Sequence, residues 1–200
     1  VCTSVARSGD TAEALAEVLQ QAAAGADLIV TSGGVSAGAF DPLTMLAQAQ
    51  RGEEAPVHLD FVKVAMQPGK PQGYGWVLAD DGRRVPIICL PGNPVSVYVS
   101  FHVYVAGMIR VLAGRSRTVE PTVRQAVAGG EWASPRGKVQ FIPLRLDGGR
   151  AFPIHELGSR SHLVASLPLA DGLGVVPADV ERVRPGDALG FIPTEGGANG

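Results

Sequence analysis

The stretch "CLPGNPVSVYVSF", residues 89–101, decides the fold because it stops the chain sharply between two segments that both favour burial. Pro91 and Pro94 fix φ at the two ends of this loop, and Gly92 between them allows a positive φ. A plain connection needs only one such break. The extra rigidity indicates that something depends on where the backbone of this loop is held.

The segments on either side of the loop differ in the structure they predict. The run "VPIICL" before it (85–90) is typical of a buried strand. After it, valines and Phe101 alternate with mostly polar residues, but a strand running on past Val105 would be far longer than usual. Because Asn93-Pro94 is a good helix start and a well-covered helix tolerates this composition, context predicts a helix here.

Two further helices are predicted upstream of this loop. The run "GDTAEALAEVLQQAAAG" favours a helix with Asp10 as its N-cap, an apolar face and Gly25 at its end. A second helix starts at "DPLTMLAQAQRG", with Asp41 as its cap and Pro42 in its first turn.

Strands alternate with these helices. Short apolar runs at 27–32, 57–66 and 85–90 predict strands, and "LADDGRRV" between the last two predicts a hairpin turn. This alternation favours an α/β domain over residues 1–114, built as a three-layer sandwich whose mostly parallel sheet has covered faces.

Beyond Gly114 the sequence changes character. The run "RSRTVEPT" is typical of a linker, and residues 118–195 contain short apolar runs without a helical period. Glycines and prolines separate these runs, which are "TVRQAVA", "KVQFIPLRL", "RAFPIHEL", "LGVVPAD" and "DALGFIP". They predict a small all-β domain, a barrel or a sandwich, followed by a frayed tail at 196–200.

The composition is ordinary for a globular protein, with 46% hydrophobic residues, 18% charged residues and a net charge of −2. This balance favours neither nucleic acid nor an anionic membrane as a partner. Cys2 and Cys89 lie far apart, which suits a cytoplasmic protein and argues against a structural zinc site. The uncharged stretch 85–109 is broken by Pro91 and Pro94, which argues against a membrane span. Because the chain begins "VCTSVARSGD" without methionine, we interpret it as a fragment.

The glycine-rich run "TSGGVSAGAFD" (31–41) is the first candidate for chemistry. Its adjacent glycines let backbone N–H groups approach an anion, and the helix start that follows adds positive potential. It lies just past the carboxyl end of a strand, where open α/β sheets bind ligands. A plain strand-to-helix turn is the alternative.

The run "KVAMQPGKP" (63–71) is the second candidate, because it holds two of the few lysines of the chain. Lys63 and Lys70 suit phosphate oxygens or an oxyanion. The alternative is a pair of solvated lysines around an ordinary Pro68-Gly69 turn. With the loop at 91–94, three unusual loops should share one sheet edge, which favours a common pocket.

In this order, "SGGVSAGAFD", "VKVAMQPGKP" and "LPGNPVS" resemble the molybdopterin molybdenumtransferase family, which includes MoeA and the gephyrin E domain. The resemblance covers nearly the whole chain. It implies insertion of molybdate into adenylylated molybdopterin with release of AMP, assisted by Mg2+, in a homodimer of several domains. It also implies that this chain is the carboxyl half, without the amino-terminal domains needed for full activity.

The resemblance implies roles for individual residues. Asp41 matches an acidic residue that binds magnesium or takes part in molybdate-linked chemistry. Lys63 and Lys70 match basic residues near phosphate or the incoming oxyanion, and Asp10 matches a further acidic site position. The residues expected to bind the substrate are Ser32, Gly33, Gly34, Val35, Ser36, Gly38, Pro91, Gly92, Asn93, Pro94, Ser161 and Ser166.

Three features depart from the pattern of this family. Gln67 stands where many relatives have a second basic residue, Pro42 replaces an aromatic residue, and 50–56 resembles a small insertion. These departures affect the oxyanion contacts more than the substrate class. Two other functions stay open, namely a molybdopterin adenylyltransferase acting with ATP and a non-catalytic pterin-binding module.

Overall fold

The computed structural model describes residues 2–35, 41–50, 55–155 and 164–194. It divides into two compact units, the first formed by Val1–Lys63 and Pro71–Gly92 and the second by Val64–Lys70 and Asn93–Gly200. The predictions for Ser36, Gly38, Ser161 and the tail at 196–200 lie outside the described residues.

Two helices of the first unit confirm the predicted pattern, with one corrected cap. Helix α1 (Ala12–Ala23) buries Leu15 and Leu19 on one face. Its N-cap is Thr11, whose Oγ1 accepts a hydrogen bond from Ala14 N at 3.2 Å, and not the predicted Asp10. The chain enters the helix one residue later than expected because a threonine hydroxyl can satisfy the same free amide as a carboxylate. Helix α2 comprises Pro42–Ala49.

The sheet of the first unit contains β1 (Ile29–Ser32), β2 (Val57–Lys63), β4 (Pro71–Leu78) and β5 (Arg84–Leu90), in the order β1-β5-β4-β2. An α/β domain followed by a β domain is confirmed. The sheet is mixed, however, and not mostly parallel, because only β1 and β5 pair in parallel. The cause is β4, a strand missed in the sequence, which forms a hairpin with β5.

Strand β4 escapes sequence prediction because Pro71, Gly73 and Gly75 all lower strand propensity. The structure explains Gly75, since a Cβ there would lie 1.8 Å from the backbone oxygen of His58 on β2. The strand predicted at 57–66 is shorter in the structure, where β2 ends at Lys63.

Helices α1 and α2 pack against one face of this sheet, where Leu19, Leu46, Val77 and Ile87 belong to one buried core. The predicted three-layer sandwich would have helices on both faces of the sheet. No described helix of the first unit packs on the opposite face, where Val30 is 41% exposed and Tyr74 is 47% exposed.

The helix predicted after the proline-rich loop is confirmed and belongs to the second unit. It consists of α3 (Pro94–Ser100), a π-helical segment (Phe101–Val105) and α4 (Ala106–Leu112). Asn93 is its N-cap, because Asn93 Oδ1 accepts hydrogen bonds from the amides of Val95 and Ser96, at 3.1 and 3.3 Å. Among the described residues, this helix is long and apolar enough to cross a membrane by length and composition alone.

The remainder of the second unit is a barrel-like β domain, as predicted. Its strands are β3 (Met66–Gln67), β6 (Arg124–Val127), β7 (Trp132–Ala133), β8 (Val139–Asp147), β9 (Arg150–Pro153), β10 (Gly172–Val176), β11 (Arg182–Val183) and β12 (Ala188–Pro193). The main sheet has the order β3-β8-β10-β12-β6, with β9 paired to β8. A bridge between Ala128, just after β6, and Ala151 in β9 joins the ends of this sheet, which closes the barrel.

Candidate functional site

The strand ends of the first unit place several predicted site residues along one edge of its sheet. Ser32, the last residue of β1, lies opposite Leu90, the last residue of β5. Two strands further along, Lys63 ends β2 opposite Pro71, which starts β4. Strands β1, β5 and β2 therefore all end at the same edge of the sheet. At this edge lie the start of the glycine-rich loop, the first half of the proline-rich loop and Lys63.

The two loops that follow β1 and β5 touch each other. The amide of Gly33 donates a hydrogen bond to the carbonyl oxygen of Leu90 at 3.1 Å, which extends the parallel pairing one residue beyond β1. A Cβ on Gly92 would lie 3.3 Å from Cα of Gly33. Both glycines thus allow close approach of the two backbones, and the paired loops form one continuous surface at this edge.

Asp41 starts α2 beside this surface. Its Oδ1 accepts a hydrogen bond from the amide of Leu43 at 3.2 Å, so the predicted cap is confirmed. A Cβ placed on Gly34 would lie 2.9 Å from the same oxygen. Asp41 is half-buried while Leu43 is buried in the core. One carboxylate therefore adjoins both the glycine-rich loop and the start of the helix.

Beneath the loops, Cys89 is a buried neighbour that sequence reasoning did not assign to the site. The pKa of the Cys89 thiol is raised to about 11, mainly because the side chain is buried. The charge of Asp41 also raises this pKa, and the nearby Thr31 hydroxyl partly offsets the increase. Thr31 Oγ1 is itself buried, and it makes no hydrogen bond with the described residues. The alternation of Ile87 and Cys89 along β5 is the signal that could have placed this thiol on the helix-covered face.

The two candidate lysines are exposed and belong to different units. Lys63 ends β2 in the first unit. Lys70 lies in the short segment of the second unit, where its carbonyl oxygen accepts a hydrogen bond from Val64 N at 2.8 Å. Exposed ammonium groups are available to an anion from solvent.

The other predicted site residues fall in several places. Asp10 is exposed just before α1, and the side chain of Val35 is buried in the first core, so it faces away from solvent. Asn93 and Pro94 start the long helix of the second unit. Ser166 lies half-buried in the short 3-10 turn Val164–Leu169 of the same unit.

A magnesium ion would find one carboxylate at this edge. In the parts of the chain that the structure describes, no group of three or more His, Cys, Asp or Glu side chains could hold a metal. Mg2+ is usually bound by one or two carboxylates together with substrate phosphates, so Asp41 fits as a single protein ligand. A site made by protein side chains alone is not present among these residues.

Two family models match the chain in tandem. Residues 2–111, more than half of the chain, match the family described as "Probable molybdopterin binding domain". Residues 125–194 match the "MoeA C-terminal region (domain IV)". The fold and this order define a molybdopterin-binding α/β domain followed by a MoeA-type β domain. The chain belongs to the MoeA family, as the resemblance predicts.

Individual relatives agree with this assignment. Molybdopterin molybdenumtransferase 2 of Mycobacterium tuberculosis is 39% identical over 186 residues, covering 93% of this chain and 44% of the relative. Molybdopterin molybdenumtransferase 1 of the same organism is 32% identical over 205 residues, covering 94% and 44%. A crystal structure of a molybdopterin biosynthesis MoeA protein from Pyrococcus horikosii superposes with a TM-score of 0.68 and 26% identity, covering 93% and 42%. The chain spans less than half the length of these relatives.

Proposed function

We propose that this chain forms the molybdopterin-binding and carboxyl-terminal domains of a molybdopterin molybdenumtransferase. In this proposal the full-length enzyme inserts molybdate into adenylylated molybdopterin and releases AMP. The observation that carries the proposal is the tandem match of both domains, together with 39% identity to a relative named for this activity. The loops that meet at Gly33 and Leu90 support it, because they lie together at the edge where α/β sheets bind ligands.

Each residue of this edge has a proposed task. The glycine-rich loop at Gly33 lets a phosphate approach, and the exposed amine of Lys63 attracts the negative charges of phosphate and molybdate. For Lys70, which belongs to the second unit, the same role stays a separate prediction from the family resemblance. Asp41 would bind Mg2+, which supplies charge neutralisation at the phosphoanhydride that is cleaved. The dithiolene sulfurs of the substrate hold the molybdenum, so the protein contributes position and electrostatics and no metal-binding cysteines. A homodimer with a shared site belongs to the same proposal.

A direct assay of the full-length protein tests this function. Adenylylated molybdopterin, Mg2+ and molybdate should yield AMP together with the molybdenum cofactor, and omission of molybdate should leave cofactor formation at background. The adenylyltransferase alternative is separated by supplying ATP and metal-free molybdopterin, since only that enzyme would make the adenylylated product. Binding of molybdopterin or AMP without turnover under either condition would favour a non-catalytic module and overturn the proposal.

A further inference from the structure

The two adjacent glycines of the glycine-rich loop have different surroundings. Gly33 and Gly34 both have positive φ, 89° and 77°. Among the residues that the structure describes, no heavy atom lies within 4 Å of a Cβ built on Gly33, whereas a Cβ on Gly34 would lie 2.9 Å from Asp41 Oδ1 and 3.0 Å from Leu43 Cδ1. No described residue therefore fills the space above Gly33, while Asp41 and Leu43 fill the space above Gly34.

We propose that Gly34 is a positioning residue that fixes the Asp41 carboxylate, and that Gly33 alone of the pair serves ligand approach. The missing side chain of Gly34 lets the loop backbone lie close to Oδ1, which also accepts the hydrogen bond from the Leu43 amide at 3.2 Å. The carboxylate is thus confined between a loop backbone and a helix amide, which selects one side-chain rotamer of Asp41.

The surroundings also decide what would move if Gly34 gained a side chain. Leu43 is 3% exposed in the first core, so it has little room to shift. Asp41 is only half-buried and therefore has more room to move than Leu43. A methyl group at position 34 should therefore displace the carboxylate and break its bond to the Leu43 amide.

The consequence for catalysis rests on the proposed function, in which Asp41 serves the reacting phosphates. A small misplacement of a group at the reacting atoms can lower a rate about a hundredfold. Gly34→Ala should act through Asp41 without removing any functional group from the site.

The primary test measures Asp41 directly and needs no activity. In the 200-residue chain, NMR three-bond couplings report the χ1 rotamer of Asp41, and amide exchange reports the Leu43 N–H bond. Gly34→Ala should average the rotamer and increase Leu43 exchange at least tenfold. Gly33→Ala is the matched control, because it carries a similar left-handed backbone cost without approaching Asp41. The control should keep a single rotamer and a protected amide.

Unchanged couplings and exchange in Gly34→Ala, or equal changes in both variants, would overturn the positioning role. If Gly34→Ala does not fold, the double variant Gly34→Ala/Leu43→Val, which removes the contact with Leu43 Cδ1 and keeps the amide of residue 43, is measured in the same way. In the full-length protein, Gly34→Ala should lower molybdate insertion about a hundredfold while AMP binding stays within twofold. An unaltered insertion rate with a displaced Asp41 would refute the catalytic consequence. A wild-type protein without insertion activity would refute the proposed function and leave the NMR result standing.

Discussion

Asp41 Oδ1 accepts a hydrogen bond from the amide of Leu43 at 3.2 Å, so a single carboxylate caps α2 and adjoins the glycine-rich loop at the same time. The two tasks make different demands. Capping requires an acceptor oxygen, which asparagine also offers, whereas binding of Mg2+ or work on phosphates requires the negative charge.

Asp41→Asn should therefore separate function from folding. Because asparagine is as good an N-cap as aspartate, the free energy of unfolding should change by less than about 0.5 kcal/mol. Molybdate insertion by the full-length protein should fall at least about a hundredfold, as expected when a charged group is removed from the transition state. Asp41→Ala, which loses the cap as well, should cost about 1 kcal/mol of stability. Normal turnover by Asp41→Asn would exclude the catalytic role.

Lys63→Gln should weaken the binding of anions at the sheet edge. The side chain is exposed at the end of β2, so solvent screens its charge and the expected loss is about 1 kcal/mol, or about fivefold in the Kd of AMP. The difference should shrink as salt is raised. Arg84→Gln is the matched control, since Arg84 is exposed at the start of β5 and therefore lies at the opposite edge of the same sheet. Calorimetry should show unchanged affinity for that control, and equal losses in both variants would argue against a site at Lys63.

Sequence reasoning succeeded where local chemistry determines the structure. The caps at Asp41 and Asn93 were predictable because an acceptor side chain precedes a proline that suits the first turn. The short strands of the β domain were also predictable, because glycines and prolines separate them in the sequence.

It failed where tertiary contacts override propensity. Strand β4 was missed because the cross-strand space at Gly73 and Gly75 is taken by neighbouring atoms, and a sequence does not display that space. Cys89 was overlooked for a similar reason, since its proximity to Thr31 and Asp41 arises from strand pairing and from the helix start beside it.

Gly75→Ala should severely destabilise the first unit. The added Cβ would lie 1.8 Å from the His58 backbone oxygen on the paired strand β2, so the two strands would have to separate. Overpacking of this kind costs about 3 kcal/mol or more. Gly25→Ala, where a Cβ would meet no atom of the described residues within 4 Å, is the control and should alter stability by less than about 1 kcal/mol. Urea unfolding measures both, and similar midpoints for the two variants would contradict the β2–β4 register.

Cys89 should make the stability of the protein fall at alkaline pH. Burial raises its pKa to about 11 from an unfolded value of 9.0, so the unfolded chain releases this proton first as pH rises. The contribution is fully present below pH 9 and is lost between pH 9 and 11. A pKa difference of about 2 corresponds to about 3 kcal/mol.

Comparison with Cys89→Ala isolates this contribution, because Tyr98 and Tyr104 have raised pKa values through burial and add a slope of the same sign. The free energy of unfolding should be measured in urea from pH 8 to 11. The variant is expected to be less stable at pH 8 because of the cavity, yet to lose less stability on the way to pH 11. Parallel curves for the two proteins would show that the thiol does not ionise in this way.

Gly107→Ala tests the contact between α4 and Val119 within the second unit. Two effects of opposite sign on the free energy of unfolding compete at this position. In the interior of α4, alanine is favoured over glycine by about 1 kcal/mol. A Cβ at this position would, however, lie 1.8 Å from the backbone oxygen of Val119. The clash should win, because the segment around Val119 must move away from the helix, and we expect a net loss of about 2 kcal/mol. Ala106→Gly in the same helix calibrates the propensity and should cost about 1 kcal/mol. A Gly107→Ala protein that is more stable than the wild type would show that Val119 does not pack against α4.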